Sequence, residues 1–317
     1  MVHQNSPAIQ SVVIMGGGAA GWLTAAILAA SAAVKSRNVR ITLVESPNVG
    51  ILGVGEGTWP TMRDTLRKIG LDEATVIRQC DASFKQGTCF KQWRHTNGND
   101  TYYHPFDLPA GMFDTDPMAW WANHREQGSF AEMFTAHPVL SEAGKAPKQP
   151  QTPDYAAVAN YGYHLDAHKF ADVLKQHCQQ HLGVKLVTMH VGQIVTNNSG
   201  QIEALADNTQ AIAGDLFIDC SGFSAQLIGQ HYQVELHNQS GVLPNDSALA
   251  VQACYAEPHT AIASNTHSTA HANGWLWDIA LPIAKASAVF IVASIVMRPP
   301  PEPPCWIILS AIPRPPR

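Results

Sequence analysis

Six consecutive residues, Gly16-Gly17-Gly18-Ala19-Ala20-Gly21, satisfy the spacing G-x-G-x-x-G. An apolar, β-branched run, "SVVIM" at 11–15, leads into them, and an alanine-rich helical pattern leads out. In that context the first glycine allows a tight turn, the second admits a pyrophosphate, and the third seats helix on strand. The N–H groups of the helix start then face the phosphates. Glu45 closes a second apolar run, "VRITLVES", and stands 24 residues past Gly21, where a carboxylate accepts ribose hydroxyls. The implied chemistry is dinucleotide binding, and this motif alone serves NAD and FAD equally.

Two later stretches favour FAD. "GILGVGEGTWP", residues 50–60, is a second glycine-rich loop before a helical pattern, suited to wrapping an extended cofactor. "LFIDCSGF", residues 216–223, is an apolar run that returns beside a nucleotide in flavoproteins of the hydroxylase type. Other constellations carry less. His164 and His168 are spaced for a metal on a helix, but HExxH and a third ligand are missing, so no metal site is expected. Ser221 lacks the G-x-S-x-G elbow of a hydrolase nucleophile. Asp72 and Glu73 read as a solvated helix start.

These residues need a scaffold, and the apolar periodicity supplies one. Strand, glycine turn, helix and strand over 11–46 form a βαβ unit. Trp59, Met62, Leu66 and Ile69 share one face of a helix. From about 90 to 161 aromatics, histidines and prolines read as an insertion of loops and short helices. A helix over 165–183 buries Phe170, Val173, Leu174 and Cys178 and stops at Gly183. Short strands follow, "VKLVTMHV", "QIVT", "QIEALAD" and "DLFIDCSG". The division expected is a FAD-binding core (1–90), an inserted substrate segment (91–160), a return of the core (161–282) and a proline-rich tail (283–317).

Composition narrows the class. The chain has 317 residues, 45% of them apolar and 14% charged, with a net charge of −5 and no basic run. That suits a soluble enzyme and excludes a nucleic-acid partner. Six scattered cysteines without CxxC spacing read as reduced thiols. No apolar run is long enough to span a bilayer, so no membrane partner and a cytoplasmic location are expected.

The strings "IMGGGAAGW", "GVGEGTWP", "ASFKQGTCFKQW", "YYHPF", "YGYHLDAHKFADVL", "DLFIDCSGF", "LPNDSALA" and "GWLWDIALP" follow one another across residues 10–282. Together they resemble the flavin-dependent halogenases of the tryptophan halogenase family. The resemblance implies an α/β, Rossmann-like FAD-binding fold of the flavin hydroxylase type, with an antiparallel β element and an inserted substrate region. It implies reduced FAD delivered by a separate NAD(P)H-dependent flavin reductase, plus O2 and chloride or bromide. A flavin hydroperoxide then turns halide into hypohalous acid, which travels to a lysine facing a small aromatic substrate, tryptophan or another indole. The family lysine falls on Lys85. The family's ring-sandwiching aromatics fall on His104 and Phe106. Trp275 and Trp277 match the WxWxIP motif, a wall between flavin and substrate, although Ala280 stands where the motif has proline. Cofactor contacts fall on Gly16, Gly17, Gly18, Ala19, Ala20, Gly21, Glu45, Ser46, Leu52, Gly53, Val54, Gly55, Glu56, Gly57 and Val191.

The resemblance fades after Pro282. Family chains continue with a strand reading RxGxGYVY and a glutamate that works with the lysine. Here eight of the 21 prolines crowd between Pro299 and Pro316, a composition unsuited to continuing a sheet. One chosen codon set for "AKASAVFI", 284–291, reads Arg-Lys-Gly-Ile-Gly-Cys-Val-Tyr when shifted by one base. The expectation is a frameshifted, truncated halogenase of little or no activity. A flavin monooxygenase, or a non-catalytic FAD-binding remnant, are the alternatives.

Overall fold

The computed structural model describes residues 8–50, 53, 55–95, 100–255, 257, 259–291 and 307–311. The strand Ser11–Met15 is central in a four-stranded, all-parallel sheet, flanked by Leu216–Asp219 on one side and Arg40–Glu45 on the other. Lys185–Thr188 completes it beyond Arg40–Glu45. Parallel strands need crossovers, and a helical one, Ala19–Ala30 then Ala32–Ser36, joins the first two. Ala25, Ala26 and Ala29 keep that helix thin on its buried side, where it meets the helix Ala167–His181. Trp22, Ile14, Leu43, Phe170, Leu174 and Cys178 close the core between them.

The helix Ala167–His181 buries Phe170, Val173, Leu174 and Cys178 as its periodicity requires, and Gly183 turns the chain away at φ +69°. An antiparallel ribbon follows, Gln193–Thr196, Ile202–Ala206 and Ala211–Ala213.

A second layer holds the rest. A seven-stranded sheet runs in the order Ile307–Ala311, Ser247–Ala253, Lys285–Ile291, Gly274–Ala280, Thr266–His271, Gly87–Lys91, Thr101–Pro105. All neighbours are antiparallel except Thr266–His271 beside Gly87–Lys91. Between the layers lies a small sheet, Glu56–Gly57, Gly162–Leu165 and Ser83–Lys85.

Three expectations need correcting. Residues 90–161 contain short helices, but Gly87–Lys91 and Thr101–Pro105 are strands that extend the large sheet. The proline-rich tail is also not wholly outside it. Lys285–Ile291 is inserted between two strands, and Ile307–Ala311, a proline-free stretch of that tail, pairs with Ser247–Ala253. Glu73 is not solvated but 2% exposed. Asp72 caps the helix Glu73–Gln79 by accepting from Thr75 N. Glu73 turns inward to Lys148 Nζ at 2.6 Å, Tyr163 Oη at 2.6 Å and Tyr161 Oη. Burial raises its carboxyl, but these donors outweigh it and leave the group below the usual range.

Candidate functional site

At the C-terminal edge of the parallel sheet the glycine turn does what its spacing requires. A Cβ on Gly16 would lie 2.0 Å from Cys220 O, and one on Gly21 would lie 1.9 Å from Gly16 O. Neither glycine can therefore be replaced without moving backbone. Gly18 is different, because nothing lies within 4 Å of the place its Cβ would take. It opens onto a cavity of about 750 Å³ that Gly16–Ala20, Glu45, Ser46, Glu56, Val191 and the 220–224 turn line. The first N–H groups of the helix Ala19–Ala30 have no intrahelical partner.

Glu45 Oε2 accepts from Lys175 Nζ at 2.6 Å, which pins the carboxylate at the cavity wall. Asp219 of "DCSG" is a brace. It accepts from Ser221 N and Oγ and from Leu227 N and Ile228 N, so the turn carrying Cys220 stays beneath Gly16. An extended group with a pyrophosphate and a ribose fits this donor set, as FAD requires. Glu56 reaches the cavity, and burial raises its carboxyl above the ordinary value. Gly53, Gly55 and Gly57 belong to the same segment, whereas Leu52 and Val54 lie outside the described residues.

A second cavity, about 950 Å³, begins at Trp59, two residues past Gly57. Its walls carry Trp59, His104, Phe106, Trp121 and Phe130. Trp59 stands 6.0 Å from the ring of His104 and 5.4 Å from that of Phe106. The helix expected to include Trp59 begins only at Thr61, so Leu66 and Ile69 are buried while Trp59 is 59% exposed toward the cavity.

Lys85 lines neither cavity but stands beside the segment that runs from one to the other. It ends the strand Ser83–Lys85, is 7% exposed, and has no hydrogen-bond or ion-pair partner among the described residues. Its Nζ lies 5.5 Å from the Phe106 ring centroid and would lie 3.0 Å from a Cβ on Gly57. Burial pulls the ammonium down to about 8. Glu56, one residue before Gly57, lines the nucleotide cavity, and Trp59, two residues after it, lines the aromatic one. Three residues of chain bridge about 10 Å at most.

A family model described as tryptophan halogenase matches residues 11–295. The chain belongs to the tryptophan halogenase family. Tryptophan 7-halogenase RebH of Lentzea aerocolonigenes is 31% identical over 288 residues, covering 86% of this chain and 53% of the relative. A crystal structure of tryptophan halogenase from Shewanella frigidimarina NCIMB 400 superposes with a TM-score of 0.86 at 48% identity, covering 91% of this chain and 57% of that one. Xcc4156, a flavin-dependent halogenase from Xanthomonas campestris, gives 0.80 at 32% identity, with coverages of 92% and 57%. The chain spans about half the length of the curated relatives it matches.

Within this halogenase-family chain, Trp275 and Trp277 lie on the strand Gly274–Ala280 and line neither cavity. Trp275 packs at 6.1 Å from Trp93, and Trp277 joins Ile279, Leu281 and Ala286. That cluster backs onto Gly55, where a Cβ would lie 2.5 Å from Ala286 Cβ. Trp277 therefore belongs to the cluster that meets the second glycine loop at Gly55, while Trp275 packs against Trp93. Among the described residues His164 and His168 belong to no group of three metal-ligating side chains; His164 is wholly buried and bonds Thr266 Oγ1. Trp59 is the aromatic that periodicity misassigned, and the following Pro60 was the available signal, since proline favours the first position of a helix over its interior.

Proposed function

We propose that this chain carries the site of a FAD-dependent aromatic halogenase, in which Lys85 relays hypohalous acid to an electron-rich ring such as an indole. The observation that carries the reading is Lys85, buried, without a hydrogen-bond or ion-pair partner among the described residues, and set beside Gly57 in the segment that joins Glu56 of the nucleotide cavity to Trp59 of the aromatic one. Reduced FAD, supplied by a separate NAD(P)H-dependent reductase, would bring the oxygen chemistry that converts chloride or bromide to hypohalous acid.

The chain's own residues then have distinct tasks. The glycine turn and the helix N-terminus hold the pyrophosphate, and Glu45 holds the ribose. Trp59, His104 and Phe106 present rings on which an aromatic substrate stacks without polar handles. Near pH 7 Lys85 is an ammonium, because its proton is held until about 8. It donates a hydrogen bond to the oxidant oxygen and makes the halogen more electrophilic, an effect strengthened by the dry setting. The segment Glu56–Trp59, which follows Gly55 packed on Ala286 and Leu281, keeps flavin and substrate apart.

A flavin monooxygenase would share the nucleotide cavity but would leave a costly buried ammonium without a task. The test is the purified chain with FAD, a flavin reductase, NADH, oxygen, bromide and indole. Against the low activity expected from the sequence alone, the proposed site requires brominated indole from the wild-type chain and none from Lys85→Ala, with flavin absorbance after gel filtration equal in both. Hydroxylated indole, or a brominated product indifferent to Lys85→Ala, would sink the reading. Product formation should also decline as pH rises through about 8, following the loss of the Lys85 proton.

A further inference from the structure

His164 and Thr266 sit next to Lys85 and have no part in the relay described so far. His164 is the middle residue of the small sheet, paired with Gly57 on one side and Ser83 on the other. It is fully buried, and burial, then the charges of Lys85 and His267, hold it well below the usual imidazole range, so it is neutral. Its Nε2 lies 2.9 Å from Thr266 Oγ1, while its Nδ1 has no partner among the described residues.

That asymmetry selects a tautomer. A buried N–H without an acceptor is rarer than a buried acceptor without a donor. The proton therefore belongs on Nε2, which donates to Thr266 Oγ1 and leaves Nδ1 a bare lone pair. Thr266, 2% exposed, then accepts from His164 and keeps its own hydroxyl proton to give. No other hydrogen bond engages that hydroxyl among the described residues.

The direction of that proton matters because of Gly57. A Cβ on Gly57 would lie 3.0 Å from Lys85 Nζ and 3.5 Å from Thr266 Oγ1. Two buried donors, an ammonium and a hydroxyl, thus flank one point on the side-chain-free face of Gly57. Neither has an acceptor among the described residues. Buried donors are normally paired, so the pair forms a ready place for one small acceptor atom.

Resting on the halogenase reading, we infer that Thr266, oriented by His164, is the second hydrogen-bond donor to the oxygen of hypohalous acid held at Lys85. In the transfer the ring carbon attacks halogen, the C–X bond forms, and the O–X pair stays on oxygen. That oxygen takes a proton from Lys85 and leaves as water, and the ring proton returns to the Lys85 amine. Thr266 gives up no proton; its hydrogen bond strengthens as charge builds on the departing oxygen.

The first test needs no turnover. Nitrogen-15 NMR of the histidine-labelled chain, with His164 assigned by its loss in His164→Gln, should show Nε2 protonated; Nδ1 protonated overturns the inference. The second uses the coupled bromination assay on wild type, Thr266→Val and Thr266→Ser. Thr266→Val should lower kcat about 10-fold with KM for indole and flavin absorbance unchanged, and Thr266→Ser should recover most of it. A rise in KM instead, or equal kcat in wild type and Thr266→Val, overturns the Thr266 role while leaving Lys85 its own. No brominated product in the wild-type chain removes the halogenase reading and this inference together.

Discussion

The two cavities that Glu56 and Trp59 respectively line are built by opposite means. The nucleotide cavity is made of backbone: a glycine turn, a helix N-terminus and the 220–224 turn beneath them. The aromatic cavity is made of side chains from segments distant in the chain, Trp59, His104 with Phe106, and Trp121 with Phe130. A backbone site tolerates no added atom where chains touch, whereas a side-chain site loses one wall at a time. Lys85 stands beside the segment that joins them and behaves like neither, since it is a buried charge with no hydrogen-bond or ion-pair partner among the described residues.

The sharpest way to break the contrast is within the glycine turn itself. Gly21→Ala forces a methyl against Gly16 O and is expected to cost on the order of 4 kcal/mol or more, read as loss of the cooperative thermal transition. Gly18→Ala should fold normally, because Gly18 has an extended backbone and open space before it, yet bind FAD roughly 10- to 100-fold more weakly. If Gly18→Ala keeps its flavin affinity in a fluorescence titration, the cofactor does not lie on this turn.

The junction predicts a smaller effect of unusual sign. Lys85 gives up its proton near 8 when folded and near 10.5 when unfolded. Between those values the unfolded chain binds more protons, so wild-type stability rises with pH. Below pH 8 the buried charge costs on the order of 3 kcal/mol. Lys85→Met should therefore melt at a higher temperature than wild type at pH 7, with the gain shrinking toward pH 10.5. A lower Tm at pH 7 would mean the ammonium is paired in solution.

The mildest effect belongs to the side-chain cavity. Trp59→Ala should weaken indole binding about 10-fold and leave flavin affinity unchanged, as expected for one lost ring contact. Equal losses of both ligands would show that the two cavities are not separable.

Legibility in the sequence follows the same division. The parallel sheet, its crossover helix and the helix Ala167–His181 were readable because each depends on periodicity within one short window. The strands Gly87–Lys91 and Thr101–Pro105 were not, since aromatic and polar residues there answer to partners such as Thr266–His271 far along the chain. Glu73 shows the limit most plainly. Its sequence neighbours make a good helix start, but Lys148, Tyr161 and Tyr163 arrive from elsewhere and turn the same carboxylate into a buried anchor.

By itself the sequence determined the glycine turn, the acid after the second strand, and through its resemblance the choice of Lys85. These are matters of local backbone conformation or of residues matched in order. Only the tertiary structure decided that Lys85 is buried without a hydrogen-bond or ion-pair partner among the described residues, that Trp59 leaves its helix to face His104 and Phe106, and that Trp277 joins the cluster meeting Gly55. The reason is physical: burial and desolvation depend on which distant segments close over a side chain, and no window of sequence contains them.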